Sequence, residues 1–182
     1  MTDPAIETNF CLKGMKIMSK FWCATAAVTL AITATLNAAL AKPQTCPSIS
    51  ILADATRLAV MQSGQVDFAA EIRKPALACT LSGGTAKSQL SFWVKSAISP
   101  TGQVGERSVP YFVAIIVNGQ VIGKEIFNLK LPFSAAERKV LVKESVARID
   151  IPIEKGKTAE DYSVTIGFQL TEEQAAYNRA AK

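Results

Sequence analysis

The 182-residue chain contains no histidine. This removes the commonest general base and the commonest metal ligand at neutral pH, so Ser-His-Asp and Cys-His schemes are both excluded. Zinc would have to rely on sulfur and carboxylate alone, and the four cysteines show no C-x-x-C spacing. No Asp-rich loop of EF-hand spacing occurs. Nor is there a phosphate-binding loop: Ser82-Gly83-Gly84-Thr85 has neither the Lys-Ser/Thr ending of a P-loop nor the dinucleotide spacing, and it reads as a hairpin turn. Beyond residue 41 the longest basic run is two, as in Arg73-Lys74. Nucleic-acid binders cluster such residues, so neither a nucleic-acid partner nor a cofactor is expected.

What is present begins with an export signal. Lys16 and Lys20 lead into Phe21–Leu40, which carries no charge and closes on Ala39-Leu40-Ala41. A basic head, an apolar middle and a small-x-small ending describe a secretory signal peptide over 15–41, with Ala39, Ala41 and Lys42 at the cleavage site. Residues 1–14 carry Asp3 and Glu7, which suits an export head poorly, and are read as a dispensable extension. The alternative is retention of Phe21–Ala41 as an inner-membrane anchor, since its length approaches the roughly 20 residues a spanning helix needs. Its Ala- and Thr-rich composition gives only modest insertion energy. Either way the body of the chain is placed outside the cytoplasm, periplasmic or secreted, and the membrane contact would come through the uncleaved segment.

Cleavage after Ala41 leaves Lys42 to Lys182, with 17 Lys and Arg against 13 Asp and Glu. That length makes one domain. Cys11 and Cys23 leave with the leader; Cys46 and Cys79 form an even pair in an oxidising compartment and are expected to join. Chain-entropy reasoning gives such a loop about 3–4 kcal/mol.

Period-two alternation dominates the rest. Ser48–Ile51 alternates. Val66, Phe68, Ala70 and Ile72 are expected to face the core, with Asp67 and Glu71 on the wet face. Leu90, Phe92, Val94 and Ile98 oppose Gln89, Ser91, Trp93 and Lys95. Tyr162, Val164, Ile166, Phe168 and Leu170 oppose Ser163, Thr165, Gly167 and Gln169. Asn118-Gly119 is the favoured two-residue hairpin turn and sets Ile116 against Val121, Ile115 against Ile122 and Ala114 against Gly123. Tyr111–Val117 is apolar on both faces and should be a central strand. Pro100, Gly102, Gly105 and Pro110 mark a loop before it. Further strands are expected at 124–131, 139–143 and 147–153. The whole predicts an all-β, immunoglobulin-like antiparallel β-sandwich of seven to nine strands over 48–170, preceded by a linker at 42–47. Thr171 with Gln174 makes a capping box for a short helix over 171–182, which must dock through Ala175, Ala176 and Tyr177 or fray.

Candidate chemistry is sparse. A hydrolase needs only two carboxylates about 5–10 Å apart, drawn from Asp54, Asp67, Glu71, Glu106 and Glu125; this is the enzymatic alternative to a chain otherwise read as no enzyme. Three places suit binding. Trp93, on a polar strand face, is either an exposed anchor or covered by a loop or the helix. Asp54 and Arg57 form either an ion pair or turn cap at a strand corner or a ligand contact. Tyr111 is either an interface aromatic or a core tyrosine with its hydroxyl bonded.

Three blocks carry a resemblance: Cys46-Pro47 through Leu52-Ala53-Asp54-Ala55-Thr56-Arg57-Leu58; Val109-Pro110-Tyr111-Phe112-Val113-Ala114-Ile115; and Gly167-Phe168-Gln169-Leu170-Thr171 through Tyr177-Asn178-Arg179. Together they resemble a family of small uncharacterised envelope proteins of alphaproteobacteria, often lipoprotein-like, although no lipobox stands here before Cys23 or Cys46. The resemblance implies location and domain extent, with no activity to carry over. The expected role is a non-catalytic binding or assembly component of the cell envelope, its partner an envelope protein or polymer.

Overall fold

The computed structural model describes residues 45–180. The expected extension at 1–14, the signal segment, the cleavage residues Ala39, Ala41 and Lys42, and positions 181–182 of the expected helix lie outside them. Eight strands form: β1 Ser48–Ile51, β2 Arg57–Gln62, β3 Gln65–Ser82, β4 Thr85–Ile98, β5 Gly105–Val117, β6 Gln120–Phe133, β7 Lys139–Pro152 and β8 Tyr162–Phe168. One helix, α1 at Glu172–Ala180, follows. The strands make two four-stranded sheets, β1-β8-β5-β6 and β2-β3-β4-β7. All pairs are antiparallel except β1 with β8. The chain is therefore an all-β sandwich, with β5 and β4 interior in their sheets.

Tight turns connect β2 to β3, β3 to β4 and β5 to β6. Each has two residues of positive φ: Ser63-Gly64, Gly83-Gly84 and Asn118-Gly119. Such turns match the right-handed twist of the paired strands. The core between the sheets comes from the alternating apolar faces, including Phe68, Phe92, Tyr111, Leu131, Ile166 and Phe168, each nearly inaccessible. Phe92 meets Tyr111 edge-on at 5.2 Å, and Phe127 stacks on Tyr111 at 5.4 Å.

Bulges account for most departures from simple alternation. After the Asn118-Gly119 turn, Ile116 pairs with Val121, but Ile115 then pairs with Gly123 and Ala114 with Lys124. Ile122 is the extra residue, so the expected Ile115–Ile122 and Ala114–Gly123 pairs do not form. Between Val60–Phe68 and Met61–Val66 the extra residue is Asp67. Asp67 is consequently turned inward and buried, not wet as alternation predicts, while Val66 is 39% exposed. A third bulge, between the Ser88–Ile149 and Leu90–Val146 pairs, lets β7 run unbroken where two strands were expected. Pro110 lies within β5, not in the preceding loop. Its carbonyl accepts from the Gln169 amide at 2.9 Å. Its missing N–H would face the same side, where β8 has already ended, so the proline interrupts no ladder bond.

Thr165 and Gly167 of β8, expected on a wet face, are buried. A 3₁₀ turn at Ala53–Ala55 lies over them, where Ala55, Phe112 and Ala114 make a second small apolar cluster with Leu170. A Cβ on Gly167 would sit 2.7 Å from Ala55 Cβ and 2.9 Å from Phe112 Cζ, so only glycine admits this close approach. Cys46 and Cys79 are bridged, Cα atoms 5.7 Å apart, joining the segment before β1 to β3 of the other sheet.

The capping box forms as expected: Gln174 N–H donates to Thr171 Oγ1 and Thr171 N–H to Gln174 Oε1. The docking is different. Ala176 and Tyr177 are exposed, and Asn178 Nδ2 donates to the carbonyls of Asp54 at 2.9 Å and Arg57 at 2.7 Å. A nine-residue helix has too little apolar surface to hold itself, and two hydrogen bonds to a turn do that work here.

Candidate functional site

The Asp67 bulge builds one wall of an open cleft. Its carboxylate accepts from Arg107 Nη2 on β5 at 3.0 Å and from Ser99 Oγ at 3.1 Å. The Ser99 amide donates to the Asp67 carbonyl at 2.8 Å. Arg138 holds the same loop from the other side, its guanidinium donating to the carbonyls of Ser99 and Gly102. The loop at 99–104 is thereby fixed between two charged groups, and Arg107 also lies 5.3 Å over the Phe68 ring. The Asp67–Arg107 pair ties one sheet to the other where β2 ends, with side chains 11% and 24% exposed.

Beside this pair the two sheets part and leave a cleft of about 780 Å³. Leu58, Val60, Phe68 and Val109 form its apolar floor, and four glutamines, Gln62, Gln103, Gln169 and Gln174, stand in its lining. Amide and hydroxyl groups both donate and accept, and the only charged groups, Asp67 and Arg107, are spent on each other. Such a lining suits an uncharged hydrogen-bonding ligand with an apolar edge. Asp67 is the sole carboxylate in it; Asp54, Glu71, Glu106 and Glu125 are not brought to it.

A second trough, of about 630 Å³, lies on the outer face of the β2-β3-β4-β7 sheet. Ala59, Ala69 and Ala97, neighbours across three strands, form its floor, and Tyr177 and Asn178 of α1 flank it.

The candidate binding residues fall in separate places. Tyr111 is a core tyrosine, 1% exposed, whose hydroxyl donates to Glu144 Oε1 at 3.1 Å. Burial pushes its pKa up from the usual phenol value, and the charge and hydrogen bond of Glu144, with the charge of Glu125, add to this. Asp54 and Arg57 do form a corner, but the carbonyls of both are what Asn178 engages; the Arg57 side chain reaches Glu71 at 3.8 Å. Trp93 is half-buried on the outer sheet face, with Arg73 and Lys143 as its cross-strand neighbours. Among the described residues no group of three or more His, Cys, Asp or Glu is placed to hold a metal, and no helix is long and apolar enough to cross a membrane.

Sequence reasoning missed Arg107 and the four glutamines. Arg107 carried a signal: in β5 it shares the core-facing parity of Val109, Tyr111 and Val113, and a cation on a core face demands a buried partner. The glutamines carried none, because they come from three distant stretches of chain, around Gln62, around Gln103 and at Gln169 with Gln174. Compared with family models, curated proteins and solved structures, the chain matches none.

Proposed function

We propose that the chain is an exported, non-catalytic binding or assembly component of the cell envelope, and that the cleft beside Asp67 and Arg107 receives its partner. The observation that carries this reading is the lining itself: a ready-formed cavity whose floor is apolar and whose rim consists of neutral hydrogen-bonding groups. Its two charges neutralise one another, leaving no free acid or base at the rim. A partner entering it exchanges water for amide contacts and covers Leu58 and Val60. An uncharged polymer or the main chain of an extended peptide has the matching chemistry.

The test is site-specific photocrosslinking in intact cells. A photoreactive residue at Gln103 or Gln174 should capture one defined neighbour, and the same probe at Lys155 should not. Filling the cleft with Val60→Trp should abolish that capture without unfolding the chain. Equal capture from all three positions, or capture unaffected by Val60→Trp, would remove the cleft from the account. Mass spectrometry of the mature N-terminus separates a cleaved leader from a retained anchor: a terminus at Lys42 supports export with cleavage, and an intact Phe21–Ala41 segment the anchored form.

A further inference from the structure

Basic residues that are scattered along the chain are gathered by the fold onto one surface. Three adjacent cross-strand rows lie on the outer face of the β2-β3-β4-β7 sheet, at the end where β2 pairs with β3. The first is Ala59, Ala69, Ala97 and Lys139; the second Arg57, Glu71, Lys95 and Leu141; the third Arg73, Trp93 and Lys143. They hold five cations and one carboxylate, a net charge of +4. Lys42 to Lys182 as a whole also carries +4, so these three rows hold a charge equal to the net excess of the segment and the remaining charges balance. Glu71 neutralises little: Arg57 and Arg73 approach it only to 3.8 and 3.9 Å, on exposed side chains, where such pairs contribute little.

Apolar groups are interleaved with these charges. Leu141 stands 61% exposed between Lys139 and Lys143 on β7. Trp93 lies half-buried between Arg73 and Lys143, and Tyr177 rises 40% exposed beside the alanine trough. A broad sheet face that mixes lysines and arginines with a tryptophan, a tyrosine and a leucine matches the boundary of a bilayer. There, cations meet anionic headgroups while aromatic and aliphatic groups enter the interface. A nucleic-acid backbone would reward the charges and leave Leu141 in water.

We infer that this face docks on an anionic lipid surface, the Lys95–Lys143 region meeting headgroup phosphates and Trp93 and Leu141 entering the interface. The inference does not depend on the cleft, which opens elsewhere.

Vesicle cosedimentation tests it, with the full chain and vesicles of phosphatidylcholine alone or mixed equally with phosphatidylglycerol. The expected result is binding that rises at least tenfold with the anionic lipid and falls as salt shortens the screening length. Each cation near the surface contributes about 1 kcal/mol, so Lys95→Ala/Lys143→Ala should lower the anionic-specific binding about 30-fold. The control pair Lys130→Ala/Lys155→Ala, exposed elsewhere, should not match that loss. Trp93 emission, taken as the difference from Trp93→Phe, should shift to the blue on binding. Equal binding to both vesicle types, equal loss in both double variants, or tighter binding to duplex DNA than to anionic vesicles would each overturn the proposal. A retained leader would raise binding to both vesicle types alike and leave the anionic difference readable.

Discussion

The Tyr111 hydroxyl crosses the sandwich to donate its hydrogen bond to Glu144, 3.1 Å away. Tyr111 belongs to β5 and Glu144 to β7, so the two sheets are linked through the core by one phenol. Glu144 stands opposite Phe92 and therefore shares its inward face. A carboxylate so placed depends on the phenol's proton.

Alkaline pH should loosen this link. The folded-state pKa of Tyr111 is raised by burial first and then by Glu144. The folded chain thus keeps a proton that the unfolded chain releases near its ordinary pKa of about 10. The stability this proton confers is intact below that value and is lost as pH climbs above it. Urea midpoints should therefore fall above about pH 10, and Tyr111→Phe should flatten that slope while lowering stability at neutral pH. An unchanged slope in the variant would refute the assignment.

Removing Arg107 should cost more than an ordinary surface change. Arg107→Leu leaves Asp67 in a nearly closed setting without its cation, a loss of about 3 kcal/mol. Asp67→Asn in the same chain should restore part of it, since the residual penalty lies in the stranded charge. Urea unfolding of the single and double variants measures both.

Gly167→Ala should destabilise by about 1–3 kcal/mol, because the new methyl group meets Ala55 and Phe112 below normal contact distance. The chain must respond by lifting the 3₁₀ turn and, through Asp54 and Arg57, loosening α1. Hydrogen exchange should quicken across 172–180 and leave β3 and β4 unchanged. Gly123→Ala, which would meet only Ile115 at 3.7 Å, is the mild comparison.

Ser96→Ala should be neutral or stabilising. Ser96 is 3% exposed on the core face, and its Oγ has no hydrogen-bond partner among the described residues. Deleting a buried unpaired hydroxyl relieves a desolvation penalty of about 1–3 kcal/mol, offset in part by a small void. Thermal unfolding of the variant decides the sign.

Local signals reported faithfully on local structure. Asn118-Gly119 and Gly83-Gly84 gave their turns, Thr171 with Gln174 gave the cap, and Cys46 with Cys79 gave the bridge. Alternation placed Phe92, Val94 and Ile166 correctly, because a strand's two faces follow from the pleat. What escaped were the places where one added residue inverts the count. Asp67 and Ile122 are both such residues: the Asn118-Gly119 turn names the strand that Ile122 opposes, but where pairing slips by one residue depends on cross-strand detail that no local window holds. The Asp67–Arg107 pair and the cationic face share this cause. Arg57, Arg73, Lys95 and Lys143 are neighbours only once β2, β3, β4 and β7 lie side by side, and no window along the chain contains them together.

The bridge between Cys46 and Cys79 has a mechanical consequence. Cys46 stands just ahead of β1, a four-residue strand at the edge of its sheet, and Cys79 sits well inside β3. Tension applied from the N-terminal side reaches β3 through a covalent link before it strains the short parallel ladder between β1 and β8. A tethered copy would carry its load on the body of the sandwich, and its weakest strand would not be the first to peel.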